Sequence, residues 1–194
     1  MTITAKGRAT RQRIIEGAAV HLRSEEPGTV TLDDIRAITG TSKGQIFHYF
    51  PGGKEELLVA VARYEAERVL EDQQPHLGAL TSWAAWERWR DAVLARYRAQ
   101  GRHCPLGSLM AQVGTTAGTA EVVGTLLAQW CAHIRRGIAT MQDAGLVRAQ
   151  VDPDAVAMTF VAAIQGGVQV LRTTGSVEYL ETSMNTLVAH LREG

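Results

Sequence analysis

The chain has 194 residues, enough for one domain or two small ones with a buried core. Apolar residues make up 45% and charged residues 21%, as in an ordinary globular protein, and no uninterrupted apolar run reaches the ~18 residues of a membrane span. Formal net charge is zero but unevenly spread: residues 1–54 hold eight Lys or Arg against five Asp or Glu, the remainder twelve against fifteen, so +3 faces −3. Two cysteines, Cys104 and Cys131, without a CxxC pair, point to a reduced cytoplasmic chain rather than a disulfide scaffold. The opening residues hold no apolar h-region, so no secretory signal is expected.

The chain opens on a basic entry of Lys6, Arg8, Arg11 and Arg13. A helix is predicted over residues 10–24, where Ile14, Ile15, Ala18, Ala19 and Leu22 form one apolar stripe. Pro27-Gly28 breaks it. The stretch Thr31 to Lys54 then reads as two short helices joined by a tight turn. Thr31 and Asp34 have capping-box spacing, Ile35 and Ile38 give an apolar face, and Gly40 supplies the turn. Ser42 caps the second helix, and Ile46 and Phe50, four apart, turn one face inward. Lys43, Gln45, His48 and Tyr49 are left facing outward, and Pro51-Gly52-Gly53 ends the helix.

At Thr31, Gly40, Ser42, Gly44, the run Phe47-His48-Tyr49-Phe50 and Lys54, the chain resembles the TetR family of bacterial transcriptional regulators. Arg36, Thr39 and Thr41 depart from the small or apolar residues usual there. Phe47 stands where the family usually has a phosphate-contacting tyrosine, and a phenylalanine cannot make that hydroxyl bond. The resemblance implies a helix-turn-helix DNA-binding domain over residues 1–54 and a ligand-binding and dimerisation domain over 55–194. For Arg8 and Arg11 it raises, beside a solvated, frayed N-terminus, the option of a flexible arm touching phosphate or the minor groove. DNA contacts are expected from Thr31, Ser42, Lys43, Gly44, Gln45, His48, Tyr49 and Lys54. Gln45 is the expected base reader, because a carboxamide pairs with adenine in two places.

Beyond Lys54 no strand pattern appears and helices alternate with loops, giving an all-α chain of about nine helices. Residues 54–74 form a long helix of good formers, whose N-terminus, with Lys54 in its first turn, suits a phosphate. A loop leads to a helix over 83–100, with Trp86, Trp89, Val93 and Tyr97 on one stripe and Trp83 at its start. The segment Gly101 to Gly107 is a break, followed by a short helix with Leu109, Met110 and Val113. Its Cys104-Pro105, together with Pro51-Gly52-Gly53, resembles a drug- or antibiotic-responsive subgroup of the family. A helix over 119–144 carries Val123, Leu127, Trp130, Ile134, Ile138 and Met141 on one side, and Gly145 ends it. Asp152-Pro153 opens the next helix, to about Thr173, apolar nearly all round. Its second apolar side predicts cover by another subunit, with Gly166 and Gly167 allowing close approach. The last helix, 177–191, carries Leu180, Met184, Leu187 and Leu191, and in the resemblance these two helices form a homodimer interface.

Trp86, Trp89, Met110, Trp130, Ile134, Phe160 and Gln165 are the candidate lining of a site for a small apolar or aromatic effector. No cofactor or metal is expected, since the histidines and cysteines match no local ligand spacing. Cys104 beside His103 raises a thiol enzyme, although catalytic Cys and His are usually joined by the fold rather than by adjacency. No phosphate loop or nucleophile elbow is present, and no enzyme is expected. The combined expectation is a homodimeric repressor on a near-palindromic operator, released by an effector and not membrane-bound. The alternative is a helical dimeric DNA-binding regulator controlled by a protein partner, or without a small-molecule effector.

Overall fold

Residues 4–24, 31–114 and 116–193 are described in the computed structural model. The Pro27-Gly28 break lies outside them. The first helix, α1 (Ala5–Ser24), begins five residues before the expected start. Thr4 explains this: its hydroxyl accepts the Gly7 N–H at 3.2 Å, a cap that extends the helix over the basic entry. Arg8 and Arg11 therefore sit on a helix, not on a flexible arm, and the Arg11 guanidinium lies 4.9 Å over the Phe50 ring.

Two short helices follow, α2 (Leu32–Thr39) and α3 (Lys43–Tyr49), then the long α4 (Gly53–Glu71). Apolar residues of all four helices share one core: Ile14, Ala18 and Leu22 from α1, Ile35 from α2, Ile46 from α3, and Leu57 and Val61 from α4, with Phe50. This packing carries the first compact unit past residue 54, through Arg68, and the unit also includes Ser108–Val123. Within it, Glu65 of α4 is fully buried and held by both arms of Arg23 at 2.8 and 2.9 Å.

The second unit comprises Val69–Gly107 and Gly124–Gly194. A 3-10 turn at Leu77–Ala79 precedes α5 (Trp83–Gln100), which Ser82 caps by accepting the Ala85 N–H. Another 3-10 turn, Gly101–His103, leads into α6 (Pro105–Gln112), so the expected break at 101–107 is helical at every residue but Cys104. The long α7 (Thr119–Asp143) ends at Gly145, whose φ of 69° is one that glycine adopts without a Cβ clash. Asp152 caps α8 (Pro153–Thr174) by accepting from the Asp154 and Ala155 N–H groups. The chain closes with α9 (Glu178–Glu193), packed on α8 and α5.

A Cβ on Gly167 would lie 2.7 Å from the Leu180 Cα, so this glycine serves α8–α9 packing within the chain rather than the approach of a partner. Gly166 opens onto free space. By length and composition α8 passes as a membrane span, with a window of mean hydropathy 1.4, of which 39% is buried here. Its inner side, with Ala157, Phe160, Ile164, Val168 and Leu171, is core. Met158 on the outer side is 59% exposed. The nine helices and the absence of strands among the described residues make the fold all-α.

Candidate functional site

The α2–turn–α3 segment is fixed by two consecutive capping boxes. Thr31 stands extended before α2, its hydroxyl accepting the Asp34 N–H at 3.2 Å while the Asp34 carboxylate accepts the Thr31 N–H at 2.8 Å. These bonds with Thr31 hold the Asp34 carboxyl below the usual carboxylate range, and nearby His21 and Lys54 add to the effect. Gly40 ends α2 at φ 58°, its N–H donating to the Arg36 carbonyl. Ser42 then repeats the box: its hydroxyl accepts the Gln45 N–H at 3.2 Å, and the Gln45 Oε1 accepts the Ser42 N–H at 3.0 Å. The Ser-x-x-Gln spacing carries that signal in the sequence, beyond the single cap expected at Ser42.

The three departures from the family pattern find local partners. Thr39 and Thr41 are buried, and the Thr39 hydroxyl donates to the Ile35 carbonyl at 2.7 Å and lies 2.9 Å from the Thr41 hydroxyl. Gly17 on α1 makes room for Thr39, because a Cβ there would stand 2.6 Å from the Thr39 methyl. Arg36 pairs with Asp33 on the α2 surface. Arg13, a residue the sequence did not single out as structural, donates from α1 to the Thr39 carbonyl at the turn.

Ile46 and Phe50 anchor α3 in the core, as their spacing predicts. Ser42, Lys43, Gly44, Gln45 and His48 are exposed together on the outer side of this short segment, and Tyr49 is half-buried with its ring 4.8 Å from His48. Thr31 is exposed at the start of α2 and Lys54 half-exposed in the first turn of α4. Phe47, 42% exposed, shares the α3 surface. Pro51-Gly52-Gly53 closes the segment with Gly53 at φ 68° and the Gly52 N–H on the Glu56 carboxylate at 2.7 Å. The arrangement presents a cation, a carboxamide, a hydroxyl and two aromatic rings on one short segment, groups of the kind that contact phosphate and base edges.

In the second unit, Trp86, Trp89 and Phe160 gather as a ring cluster, with centroids 5.3 to 5.8 Å apart, all fully buried. The Trp89 indole N–H donates to Gln73 Oε1 at 3.0 Å, a partner that periodicity alone does not reveal. Trp130 and Ile134 are fully buried on the inner side of α7. Gln165 points elsewhere, lining a groove of about 480 Å³ with Leu127, Cys131 and Met158 on the outer side of α7 and α8. Met110 belongs to the first unit, the other six candidates to the second. A further groove, about 730 Å³, is bordered by Arg148, Val156, Leu187 and His190.

Cys104 is buried and stands immediately before the Pro105 that opens α6, where its Sγ accepts the Gly107 N–H at 3.3 Å. The thiol caps a helix, while the His103 side chain is exposed. No group of three or more metal-binding side chains occurs among the described residues.

Comparison with known proteins places both halves. Residues 14–61 match the family described as bacterial regulatory proteins, tetR family, and residues 82–187 match the tetracyclin repressor-like C-terminal domain. An uncharacterised HTH-type transcriptional regulator of Mycobacterium tuberculosis is 26% identical over 110 residues, 54% of this chain and 53% of that protein. The chain thus spans about half the length of the mycobacterial relatives it matches. The HTH-type transcriptional repressor AcnR of Corynebacterium glutamicum is 38% identical over 73 residues, 37% of this chain and 38% of the relative. Among solved structures, a TetR transcriptional regulator of Chloroflexus aurantiacus superposes with a TM-score of 0.79 at 26% identity, covering 96% of each chain. A TetR-family regulator of Cytophaga hutchinsonii, at 20% identity and 100% coverage of both chains, shares the fold with a TM-score of 0.80. The match to the C-terminal domain alone spans more than half of the residues, and with the two capped helices at the N-terminus it shows that this chain belongs to the TetR family of bacterial regulatory proteins, helix-turn-helix transcriptional regulators and not enzymes.

Proposed function

We propose that the chain acts in the cytoplasm as a homodimeric transcriptional repressor that a small apolar or aromatic effector releases from DNA. One observation carries the reading: α3 is clamped at both ends while Ser42, Lys43, Gln45 and His48 stand exposed on it, in a chain of a DNA-binding family. Two copies would set α3 into successive major grooves, ~34 Å apart, on a near-palindromic operator. Lys43 and Gln45 then meet base edges, with His48 beside them. Thr31, Tyr49 and Lys54 hold phosphates, and Ser42 and Gly44 let the backbone come close. The aromatic cluster of Trp86, Trp89 and Phe160, with Trp130 and Ile134, is the proposed effector region. The exposed Met158 and the grooves beside it, one of which includes Gln165, support pairing of two copies through α8 and α9.

A gel shift and footprint across the promoter region of the chain's own gene tests the DNA half. Salt-sensitive, sequence-selective protection is expected, weakened by Lys43→Ala and Lys54→Ala. Unselective binding by the wild type removes the reading. The second reading, a DNA-binding dimer governed by a protein partner, draws on the close mutual packing of Trp86, Trp89 and Phe160. Tryptophan quenching against a panel of lipophilic compounds separates the two readings, because only the first expects saturable quenching.

A further inference from the structure

We propose that the effector is a neutral, planar, largely apolar molecule carrying hydrogen-bond acceptors, such as an aromatic ketone or quinone, and that it accepts from the indole N–H groups of Trp86 and Trp130. The proposal rests on the effector reading above and narrows its ligand class from any apolar compound to one with neutral oxygen acceptors.

Three tryptophans of the second unit are fully buried: Trp86, Trp89 and Trp130. An indole N–H can only donate, and a buried donor is almost always paired. Trp89 obeys this, donating to the Gln73 Oε1 at 3.0 Å, and Gln73 is in turn fixed by donating to the Val69 carbonyl at 2.8 Å. Trp86, one helical turn earlier on the same side of α5, and Trp130 on α7 have no acceptor for their Nε1 among the described residues. The same chain thus supplies a dedicated carboxamide to one indole and leaves two others open.

A buried water is a poor remedy at Trp86. Such a water needs two to four polar partners, whereas the neighbours of this ring include Trp89 and Phe160, which offer aromatic faces. The perpendicular contact of Trp86 with Trp89, at 5.6 Å, permits at most a weak N–H to ring interaction, which a carbonyl oxygen readily replaces. Neutral acceptors fit better than a carboxylate, because two N–H dipoles do not compensate for stripping water from a full charge. The ring surfaces of Trp86, Trp89 and Phe160 favour a flat aromatic frame.

The test uses the full-length protein labelled with nitrogen-15 at tryptophan, with indole N–H signals assigned by Trp→Phe substitution at each of the four positions. Matched pairs of ketone and hydrocarbon are titrated: fluorenone with fluorene, anthraquinone with anthracene, naphthoquinone with naphthalene. The expected result is a downfield shift of the Trp86 or Trp130 proton signal with the ketones and not with the hydrocarbons, with the Trp89 signal unmoved. Ketones should bind about tenfold more tightly than their hydrocarbon partners, the worth of one satisfied donor. Trp86→Phe and Trp130→Phe should reduce that preference while leaving hydrocarbon affinity little changed. Should either variant fail to fold, the wild-type signals and the affinity ratio decide alone. Equal affinity within every pair overturns the inference, as does binding by ketones with both signals static, or no ketone binding at all. Because operator binding is measured separately by footprinting, those outcomes leave the DNA-binding reading standing and are distinguishable from its failure.

Discussion

At the scale of single residues, Gly17 and Thr39 are matched to each other. Ala is the better helix former by about 1 kcal/mol, so Gly17→Ala should stabilise α1 if space allowed it. It does not, because the Thr39 methyl would stand 2.6 Å from the new Cβ and the Thr39 hydroxyl is tied to the Ile35 carbonyl. Overpacking therefore wins, and Gly17→Ala is expected to destabilise by about 1–3 kcal/mol in urea unfolding. Adding Thr39→Ser removes the methyl but keeps the hydroxyl, and should return the double variant to wild-type stability or above. The pair of Glu65 and Arg23 behaves differently. Glu65 is fully buried while the Arg23 side chain keeps 22% exposure. Glu65→Leu should cost about 3 kcal/mol, the lower end for breaking a buried pair, since the freed guanidinium can reach water. An unfolding midpoint equal to wild type would show that the pair contributes nothing.

At the scale of elements, the first capping box carries a pH signature. The Asp34 carboxyl titrates below its unfolded value because Thr31 bonds to its charged form. Its contribution is therefore present above the unfolded value, near 3.8, and is lost as pH falls through the lower folded value. Asp34→Asn should lower the melting temperature at neutral pH, and the gap from wild type should close as pH falls below the unfolded value. Thr31→Ala should cost about 1 kcal/mol, read by denaturant unfolding. Tyr97 gives the opposite case: burial first, then the neighbouring Cys104 and Asp72, push its hydroxyl well above the ordinary value. Its contribution is present below the unfolded value and is lost only as pH rises through the folded one. Absorbance titration should therefore leave this tyrosine protonated until the chain unfolds in alkali.

For the whole molecule, the stripe of outward apolar residues on α8 is where two copies are proposed to meet. Met158→Glu places a charge on that ridge and should give monomers by sedimentation, with DNA affinity at least about 100-fold weaker through lost bivalency. A dimer that survives this substitution locates the interface elsewhere. Much of this architecture was legible in the sequence, because local chemistry set it: Thr31 with Asp34, Gly40, Asp152-Pro153 and the spacing of Ile46 and Phe50 all act within a turn or two. What was not legible depends on residues far apart in the chain. Gln73 meets Trp89, Gly17 meets Thr39 and Gly167 meets Leu180 only after the helices pack, and no periodicity announces such meetings. The candidate site divides the same way. The exposed edge of α3 follows from its pattern, whereas the placing of Gln165 on an outer groove, away from the tryptophan cluster, follows from the rotation of α8.

The hydrogen bond from the Ser42 N–H to the Gln45 Oε1 has a kinetic consequence. A carboxamide whose oxygen is held by the backbone cannot also grip adenine with both ends. In the proposed complex, Gln45 would stay folded back on Ser42 while the protein slides along unrelated sequence. At a matching adenine it would swing out, trading one local bond for two external ones. Scanning and locking would then be separate conformations of a single side chain, and the time spent at each site would be set by how often Gln45 lets go.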